Sequence, residues 1–501
     1  MTPIFDHIIV GAGSAGCVLA ASLAEQTLGT ICVLEAGPSD DDIRVRMPFG
    51  LVNLLGGPRD WARRTVAQAA LDGRQVSVPR GRMVGGSGSI NSMVWFRGRA
   101  DDFDGWKVPG WTWTDVAPAF DAVEARVQPR RLAHPHPLAE AFGMAFGGNP
   151  MDAPTPERES AGVVHLNLHD GRRRSAADAF LRPAMETGRV TLMTGAEVDH
   201  LTLNGLTATG VTLRDGRSLT ARAGVILSAG SIETPMILMR SGLGPGRALQ
   251  EHGIEVLRDM PAVGANLHDH PAIGLHFAGP GSGYGLTLAQ APRWALAPFS
   301  YALAKRGPFA SPTVEACAFF RALPGQGAPD AQCHFIPFMI GWKGRAITLG
   351  AGYFADVTVS RPRSRGRLTL GRDRYDPAID LNLLADPQDR AVMTHGITRL
   401  RAILRDAPLG KHRAPEGHPG DKADLDQFIT QGCATAYHPV GTVALGTALN
   451  PDLSVKGIAN LWVADASIMP NVTSANTNAP SMMIGWRAGA LVAQAQHRSA
   501  A

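Results

Sequence analysis

Three glycines and one glutamate near the N-terminus have the residue types and the spacing to bind a dinucleotide. Residues 8–16 read Ile-Ile-Val-Gly-Ala-Gly-Ser-Ala-Gly, an apolar strand that runs into a glycine-rich turn and then a helix. Gly11 allows the tight turn, Gly13 lets a pyrophosphate approach the main chain, and Gly16 allows close helix–sheet packing. Glu35 ends the next apolar strand, where a carboxylate can bind both hydroxyls of a ribose. This acid disfavours NADP, but the fingerprint does not separate NAD from FAD.

A second glycine-rich segment covers residues 79–91, with the sequence Pro-Arg-Gly-Arg-Met-Val-Gly-Gly-Ser-Gly-Ser-Ile-Asn. Its main-chain amides can bind an anion, and its small residues let a flat ring system lie against the main chain. A flexible Gly/Ser linker is the alternative. Apolar Val84 and Ile90 among the glycines argue against it.

The rest of the chain supplies the elements that must position these segments. Residues 1–36 form a β-α-β unit. Short apolar segments typical of strands that end at a ligand crevice follow at 190–193, 225–228 and 461–465. The segment from about 276 to 430 differs, with two strands of an antiparallel sheet and one amphipathic helix, at 351–360, 367–370 and 389–404. We therefore predict an α/β protein, α+β overall, in which a Rossmann-like nucleotide domain is interleaved with a second domain of antiparallel sheet and helices.

Composition narrows the class of protein. The 501 residues are 45% apolar and 18% charged, which is typical of a globular enzyme with two domains. A net charge of +4 from scattered arginines offers no face for nucleic acid. The five cysteines show no paired spacing, so neither disulfides nor a metal site are predicted.

The location expected from the sequence is the cytoplasm. The first strand begins by about Phe5, which leaves no room for a signal peptide. The most apolar stretch, around residues 294–304, is too short to span a bilayer. The sequence leaves the oligomeric state open.

Further motifs follow the two glycine segments in a fixed order. They are Gly-Ser-Ile-Glu-Thr-Pro-Met-Ile-Leu-Met-Arg-Ser-Gly-Leu-Gly at 230–244, Val-Gly-Ala-Asn-Leu-His-Asp-His at 263–270, Tyr-His-Pro-Val-Gly-Thr at 437–442, Val-Ala-Asp-Ala at 463–466 and Ser-Ala-Asn-Thr-Asn-Ala-Pro at 474–480. With these motifs the chain resembles, over essentially its whole length, the glucose-methanol-choline (GMC) flavin oxidoreductases. The resemblance implies an FAD-binding domain from residues 1–105, 180–275 and 434–501, and a substrate-binding domain from residues 106–179 and 276–433.

The resemblance also implies that FAD is the nucleotide and that its flavin ring lies between the second glycine segment and the C-terminal loops. It places Val198 at the adenine, and Asp465 and Ala466 at the ribityl chain and pyrophosphate. Independently, a helix that begins at Pro480 would aim its positive end at the flavin pyrimidine, which carries negative charge when reduced. The full set of cofactor residues implied is Gly11, Gly13, Ser14, Ala15, Gly16, Glu35, Ala36, Trp61, Arg82, Val84, Gly85, Gly86, Ser87, Asn91, Met93, Val94, Val198, Ala229, Gly230, Asp465, Ala466, Asn478, Pro480 and Met483.

Some family members attach the flavin covalently through a histidine in the second glycine segment. Residues 87–90 of this chain, Ser-Gly-Ser-Ile, contain no histidine. We therefore predict that FAD is bound non-covalently.

The motif at 437–442, through the resemblance, makes His438 the expected catalytic base among the 16 histidines. Pro439 keeps it out of helical geometry, and neutral imidazole is the usual base near pH 7. The resemblance implies that Asn478 is its catalytic partner, which hydrogen-bonds the substrate oxygen. Loop capping is the alternative role for an asparagine here, and it applies equally to Asn471 and Asn476. Tyr437 is expected either to border the substrate, with His438 and Asn478, or to pack on the ring.

Other polar residues have less specific interpretations. Glu315 matches a common family glutamate, and some choline-active members use an acid in this region to hold a cationic head group. No aromatic cage is evident in the sequence, so the role of Glu315 stays open. His268 and His270 flank Asp269, and we expect structural use rather than metal binding because no third ligand cluster follows.

The predicted reaction is oxidation of a primary alcohol to an aldehyde, with hydride transfer to flavin N5 and His438 as base. Dioxygen or a quinone-like acceptor would then reoxidise the flavin. The motif style is nearest to aryl-alcohol, furfuryl-alcohol or pyridoxine-type oxidases and to choline-dehydrogenase-like proteins. The alternative is chemistry like that of hydroxynitrile lyases or photodecarboxylases on the same flavin fold. The sequence determines neither the alcohol nor the acceptor.

Overall fold

The computed structural model describes residues 2–145, 154–325, 327–339 and 349–500, with side chains up to residue 496. Its strands of three or more residues are β1 (Ile4–Val10), β2 (Ile31–Glu35), β3 (Ser160–Val163), β4 (Val190–Thr194), β5 (Val198–Asn204), β6 (Thr207–Leu213), β7 (Ser218–Leu227), β8 (Pro271–Ala278), β9 (Ala316–Phe320), β10 (Ala331–Ile336), β11 (Gly352–Val359), β12 (Arg367–Leu370), β13 (Pro377–Asp380), β14 (Glu416–His418) and β15 (Leu461–Val463).

The α-helices are distributed among these strands along the chain. They are α1 (Ser14–Gln26), α2 (Ile43–Arg46), α3 (Ala100–Asp104), α4 (Trp113–Val127), α5 (Pro137–Met144), α6 (Arg182–Met185), α7 (Gly230–Arg240), α8 (Gly246–Glu251), α9 (Ala291–Ala304), α10 (Pro387–Asp406), α11 (Leu425–Gly432) and α12 (Asn478–Ala500). Short 3₁₀ turns include Gly86–Ser89 and Ala466–Ile468.

The first sheet carries the glycine fingerprint. Its strand order is β4-β2-β1-β7-β6-β5, with β15 beside β7. Strands β4, β2, β1, β7 and β15 are parallel, whereas β7, β6 and β5 run antiparallel. The inner parallel strands are apolar over their buried length, as Ile8 in β1 and Val33 in β2 show. Their carboxyl ends meet at one edge, where open α/β sheets bind ligands.

The C-terminal helix α12 packs directly on α1, which begins at the fingerprint. The two helices approach so closely that a Cβ on Gly485 would lie 2.2 Å from the carbonyl oxygen of Ala15. The chain therefore returns, after some 460 residues, to cover the helix that it formed first. This return brings the motif at 474–480 to the edge of the first sheet.

The second sheet is antiparallel, in the order β14-β8-β11-β10-β9-β3. Helix α10 packs on β11 and α5 on β3 and β9. Strand β12, expected in this sheet, instead pairs with β13 in a separate hairpin, because residues 371–376 turn the chain directly back. Each of these strands lies within one of the two predicted domains except β8, which crosses the predicted boundary at residue 275. The domain limits stay a prediction.

Two further observations bear on the composition arguments. All five cysteines are buried free thiols. Within the described ranges, no helix combines the length and the apolar character that a membrane span requires.

Candidate active site

The two glycine segments touch each other through their main chains. Gly85 N donates to Ala12 O at 2.7 Å, and a Cβ on Gly86 would lie 2.8 Å from the Cα of Gly13. Side chains larger than hydrogen would push the segments apart. The contact leaves a surface of main chain at the start of α1, where Ser14 and Ala15 present the positive end of the helix.

Glu35 is buried at the end of β2, beside this surface. Its carboxylate accepts hydrogen bonds from Ala12 N at 3.1 Å and from Gly37 N at 2.9 Å, one on each oxygen. Each oxygen keeps a lone pair, which two ribose hydroxyls could occupy. Burial raises the pKa of Glu35 to about 7, against the opposing effect of the two main-chain hydrogen bonds.

A cavity of about 580 Å³ opens beside Glu35 and is lined in part by Ala36, Arg82 and Glu197. Arg82 pairs with Glu197 at 3.0 Å, and its guanidinium lies over the ring of Trp61 at 4.9 Å. Three predicted cofactor residues, Ala36, Trp61 and Arg82, therefore lie together near the carboxylate that would bind the adenosine ribose.

Other predicted cofactor residues organise the loops around the crevice. Asp465 accepts from Gly230 N at 2.8 Å, from Thr234 at 2.6 Å and from Ser467 N at 2.8 Å, which fixes the start of α7 against the strand end at β15. The start of α7 includes Ala229, its N-cap residue. Asp465 therefore acts on the fold in addition to any contact with a ligand.

The second glycine segment is held by a buried arginine. Arg173 donates to the side-chain oxygen of Asn91 at 2.6 Å and to its main-chain carbonyl at 2.7 Å. The same Asn91 oxygen accepts from Met93 N at 2.9 Å, and Met93 itself has a φ of +61°. Asn91 thus orders the segment from within. The hydroxyl of Ser87 accepts from Gly81 N at 3.1 Å.

The loop that carries His438 is pinned to the segment before β8. Asp269 is buried, and one of its oxygens accepts from His438 N at 2.8 Å while the other accepts from Thr435 at 2.7 Å. The main chain adds Val440 N to His268 O at 2.9 Å. Tyr437, with a φ of +68°, stands more than a third exposed next to the base. The position of His438 is therefore fixed by its own backbone.

Both ring nitrogens of His438 have polar partners. Its Nδ1 lies 3.0 Å from Nδ1 of His270, and its Nε2 lies 3.2 Å from Nδ2 of Asn476. Nδ2 of Asn476 also lies 3.3 Å from Nε2 of His334, whose Nδ1 lies 3.0 Å from Asp356. These contacts form a continuous line of polar groups, the polar line, which runs from Asp356 on β11 through His334 and Asn476 to His438 and His270.

Gln332 belongs to the polar line as well and determines which groups along it donate and which accept hydrogen bonds. Its Nε2 donates to Oδ1 of Asn476 at 3.0 Å, so Nδ2 of Asn476 faces the two histidines as a donor. His438 then accepts at Nε2 and carries its proton on Nδ1, which donates to His270. The hydrogen-bond network thus assigns to His438 the tautomer with its lone pair on Nε2, where it accepts from Asn476, and an unprotonated Nε2 is the form that a base requires.

The same surroundings keep His438 neutral. Burial lowers its pKa well below the usual 6.5, and His270, His334 and Arg80 lower it further. For His334, burial also lowers the pKa, but Asp356 and Asn476 outweigh it, so the pKa lies above its usual value. One neutral and one more basic imidazole therefore lie on either side of Asn476.

Asn478, the partner expected for His438, lies elsewhere. Its Oδ1 accepts from Ser14 at 2.8 Å, and its Nδ2 is buried without a hydrogen-bond partner among the described residues. It starts α12, close to the glycine loops rather than to the base. The structure thus gives the contact with His438 to Asn476, two residues earlier, because the loop ends and the helix begins between them.

Known proteins resemble this chain along nearly its full length. Residues 5–272 and 362–485 match the two sequence profiles of the GMC oxidoreductase family. An alcohol dehydrogenase [acceptor] of Pseudomonas putida is 34% identical, with 98% of this chain and 96% of that protein covered.

The chain belongs to the GMC oxidoreductase family. An oxygen-dependent choline dehydrogenase of Rhizobium etli is 35% identical over 96% of this chain and 94% of its own length. Pyridoxine 4-oxidase from Mesorbium loti has the same fold, with a TM-score of 0.83, 28% identity, and 97% and 98% of the two chains covered. The fold class and the FAD-dependent oxidation of alcohols implied by the resemblance are confirmed. No relative named here is a lyase or a decarboxylase.

The residues of this GMC oxidoreductase fit FAD. Glu35 offers two lone pairs for a ribose, the contact of Gly13 with Gly86 leaves bare main chain for phosphates, and the unpartnered amide of Asn478 lies where the flavin pyrimidine is expected. Pro480 and Met483 follow in the first turns of α12, and Val198 begins β5. Val84 is buried within the second glycine segment, and Val94 is buried just after it.

Four residues of the polar line were not predicted from the sequence to belong to the site. His270 was assigned a structural role, and Gln332, His334 and Asp356 were not singled out. A usable signal existed in β10, where polar Gln332 and His334 alternate with apolar residues in a buried strand and so share one face. His268 contacts Asn266 O and Val472 N instead. Among the described residues, no group of three or more His, Cys, Asp or Glu side chains could hold a metal.

Proposed function

We propose that this GMC oxidoreductase oxidises a primary alcohol to an aldehyde with His438 as the base and Asn476 as its partner. The observation that carries the proposal is the 3.2 Å contact between Nδ2 of Asn476 and Nε2 of His438, beside two glycine loops that fit a flavin nucleotide. Bound FAD supplies the hydride acceptor.

The chain's own residues move the proton and hold the oxygen. An alcohol oxygen that enters between Asn476 and His438 would donate its proton to the lone pair on Nε2 of His438. Nδ2 of Asn476 would then donate a hydrogen bond to the developing alkoxide, which is worth more than a bond to a neutral oxygen. His270 accepts from Nδ1 and stabilises the ring as it gains charge. Asn478 takes the role of a flavin contact.

A neutral substrate suits the site better than choline does. Both oxygens of Glu315 are occupied, by the Ser311 hydroxyl at 2.6 Å and by the main-chain N–H of His136. Burial raises the pKa of Glu315 to about 7, so the carboxyl is partly protonated at neutral pH.

We further propose non-covalent FAD, a cytoplasmic location and reoxidation by dioxygen or a quinone-like acceptor. Residues 87–90 offer no histidine for attachment. Five unpaired thiols suit a reducing compartment. Acid precipitation checks the first point, because all flavin should appear in the supernatant and a yellow washed pellet would contradict it.

An anaerobic panel of alcohols tests the proposed function. A primary alcohol should bleach the flavin absorbance, an aldehyde should form in equal amount, and admitted air or an added quinone should restore the colour. Choline should reduce the flavin more slowly than an uncharged alcohol of similar size. Substrate cleavage without bleaching would contradict oxidoreduction and favour the lyase chemistry.

A further inference from the structure

Helix α9 is apolar on two opposite sides. Its inner side packs through Trp294, Ala297 and Tyr301, with Trp294 against the ring of Phe338 at 6.4 Å. Its outer side carries Leu296, Phe299 and Leu303, which are 61%, 65% and 87% exposed. Their spacing of three and four residues places them on one face of the helix. Such a face in water has no role in folding and indicates an interaction site.

The exposed face continues beyond the helix. Leu288, in the turn directly before α9, is 95% exposed, and Leu349 is 84% exposed. Leu286 pairs with Leu349, and Trp294 Nε1 donates to Gly285 O at 2.8 Å, which ties these segments to the helix. We refer to Leu288, Leu296, Phe299, Leu303 and Leu349 as the α9 patch.

Charge around the α9 patch is mostly positive, although exposed Asp170 precedes Gly171, which contacts Lys305. Between His270 and Val314 the sequence contains no Asp or Glu. Arg293 lies near the start of α9, and Lys305 and Arg306 follow its end, with both arginines exposed. Basic residues at the rim of an apolar helix face are typical of helices that lie in the interface of an anionic bilayer. Two copies of this patch would instead bring like charges together.

We propose that the α9 patch docks this protein on the surface of an anionic lipid bilayer. Helix α9 has 14 residues, which is too short to cross, so it would lie in the plane of the interface. The leucines and Phe299 enter the boundary of the acyl chains, and the three cations contact lipid phosphates. The proposal is independent of the alcohol that the enzyme oxidises.

Sedimentation with vesicles tests the proposal. The FAD-loaded enzyme should bind vesicles of phosphatidylcholine that contain phosphatidylglycerol, bind pure phosphatidylcholine more weakly, and lose affinity in high salt. The triple variant L296S/F299S/L303S should bind at least about tenfold more weakly. R293Q/R306Q should lose about fivefold for each cation removed. The control L28S/L206S changes exposed leucines elsewhere and should bind as the wild type does.

Two further measurements exclude trivial results. All variants should keep their FAD content and their rate of reduction by a soluble alcohol, which shows that they fold. Absence of binding by the wild type, or full binding by the triple variant, would overturn the proposal. A third outcome would also overturn it. If sedimentation velocity shows that the wild type is a dimer, that the triple variant is not, and the wild type does not bind vesicles, then a second copy of the chain is the occupant of the α9 patch.

Discussion

The nucleotide side and the base side of this active site are constructed differently. The nucleotide side is mostly main chain, from glycine segments at 11–16 and 79–91, with the single carboxylate of Glu35. The base side is a line of side chains from β10 and β11 of the second sheet, from the segment before β8 and from two loops, and Asn476 joins the sheet residues to His438. The comparison shows that binding can rest on local backbone shape, whereas proton transfer depends on distant side chains held within hydrogen-bond distance. Variants should therefore separate flavin affinity from chemistry.

The largest expected effect is on the base side. His438→Ala should slow anaerobic flavin reduction by about 10²–10⁴-fold, the usual contribution of a general base. Flavin content and spectrum should stay as in the wild type, because no nucleotide-side residue changes. Stopped-flow absorbance measures the rate. Reduction at the wild-type rate would remove His438 from the mechanism.

On the nucleotide side, Glu35→Ala should weaken FAD binding by about a hundredfold or more, since two charge-assisted hydrogen bonds of roughly 1.5–3 kcal/mol each are lost. The variant should purify partly as apoprotein and regain the wild-type reduction rate when FAD is added. Glu35→Gln is the matched control, because it keeps the shape and one acceptor. Unchanged affinity in Glu35→Ala would show that the fingerprint was misinterpreted.

Variants of Asn476 and Asn478 should distinguish the base side from the nucleotide side most clearly. Asn476→Ala should slow reduction by about tenfold to a hundredfold, the value of one hydrogen bond to developing charge, with FAD retained. Asn478→Ala should chiefly weaken FAD binding. If Asn476 and His438 hold one substrate oxygen, the double variant should lose less than the product of the single losses. The reverse pattern would restore Asn478 as the catalytic partner.

Gln332→Glu tests the direction of the polar line. A carboxylate at position 332 would accept from Nδ2 of Asn476, turn the amide over, and place Oδ1 against His438. The lone pair of the base would then face an acceptor. We expect flavin reduction to slow by about tenfold. The decrease of its rate on the acid side of the pH profile, the acid limb, should lie at higher pH than in the wild type. Gln332→Met removes the bond without reversing the amide and should have a smaller effect, with an unmoved acid limb.

The smallest expected effect is a pH dependence of FAD affinity. The pKa of Glu35 is raised to about 7 by burial, and ribose hydroxyls that bind the carboxylate would lower it again. Below pH 7 the apoprotein must lose a proton to bind, so the affinity should fall by up to about tenfold per pH unit as pH decreases. Above pH 7 it should be constant. Titration of apoprotein with FAD measures this, and Glu35→Gln should show no such slope.

Much of the fold could be predicted from the sequence, because periodicity and glycine turns are local signals. The fingerprint strand, helix α1 and Glu35 lie where the pattern placed them. The long amphipathic helix expected over 389–404 is α10. The predicted place of β12 in the large antiparallel sheet was wrong, because the choice between a hairpin partner and a large sheet depends on the tertiary structure.

The sequence by itself determined the family and predicted the nucleotide cradle and the base, because each motif consists of residues close together in the chain. Only the tertiary structure decided which asparagine faces His438. Asn476 and Asn478 have the same chemistry and lie two residues apart, yet the start of α12 turns one toward the base and the other toward Ser14. The tautomer of His438 likewise depends on Gln332 and His270, which are more than 100 residues distant. Hydrogen-bond direction is set by such partners in space, and no local pattern records it.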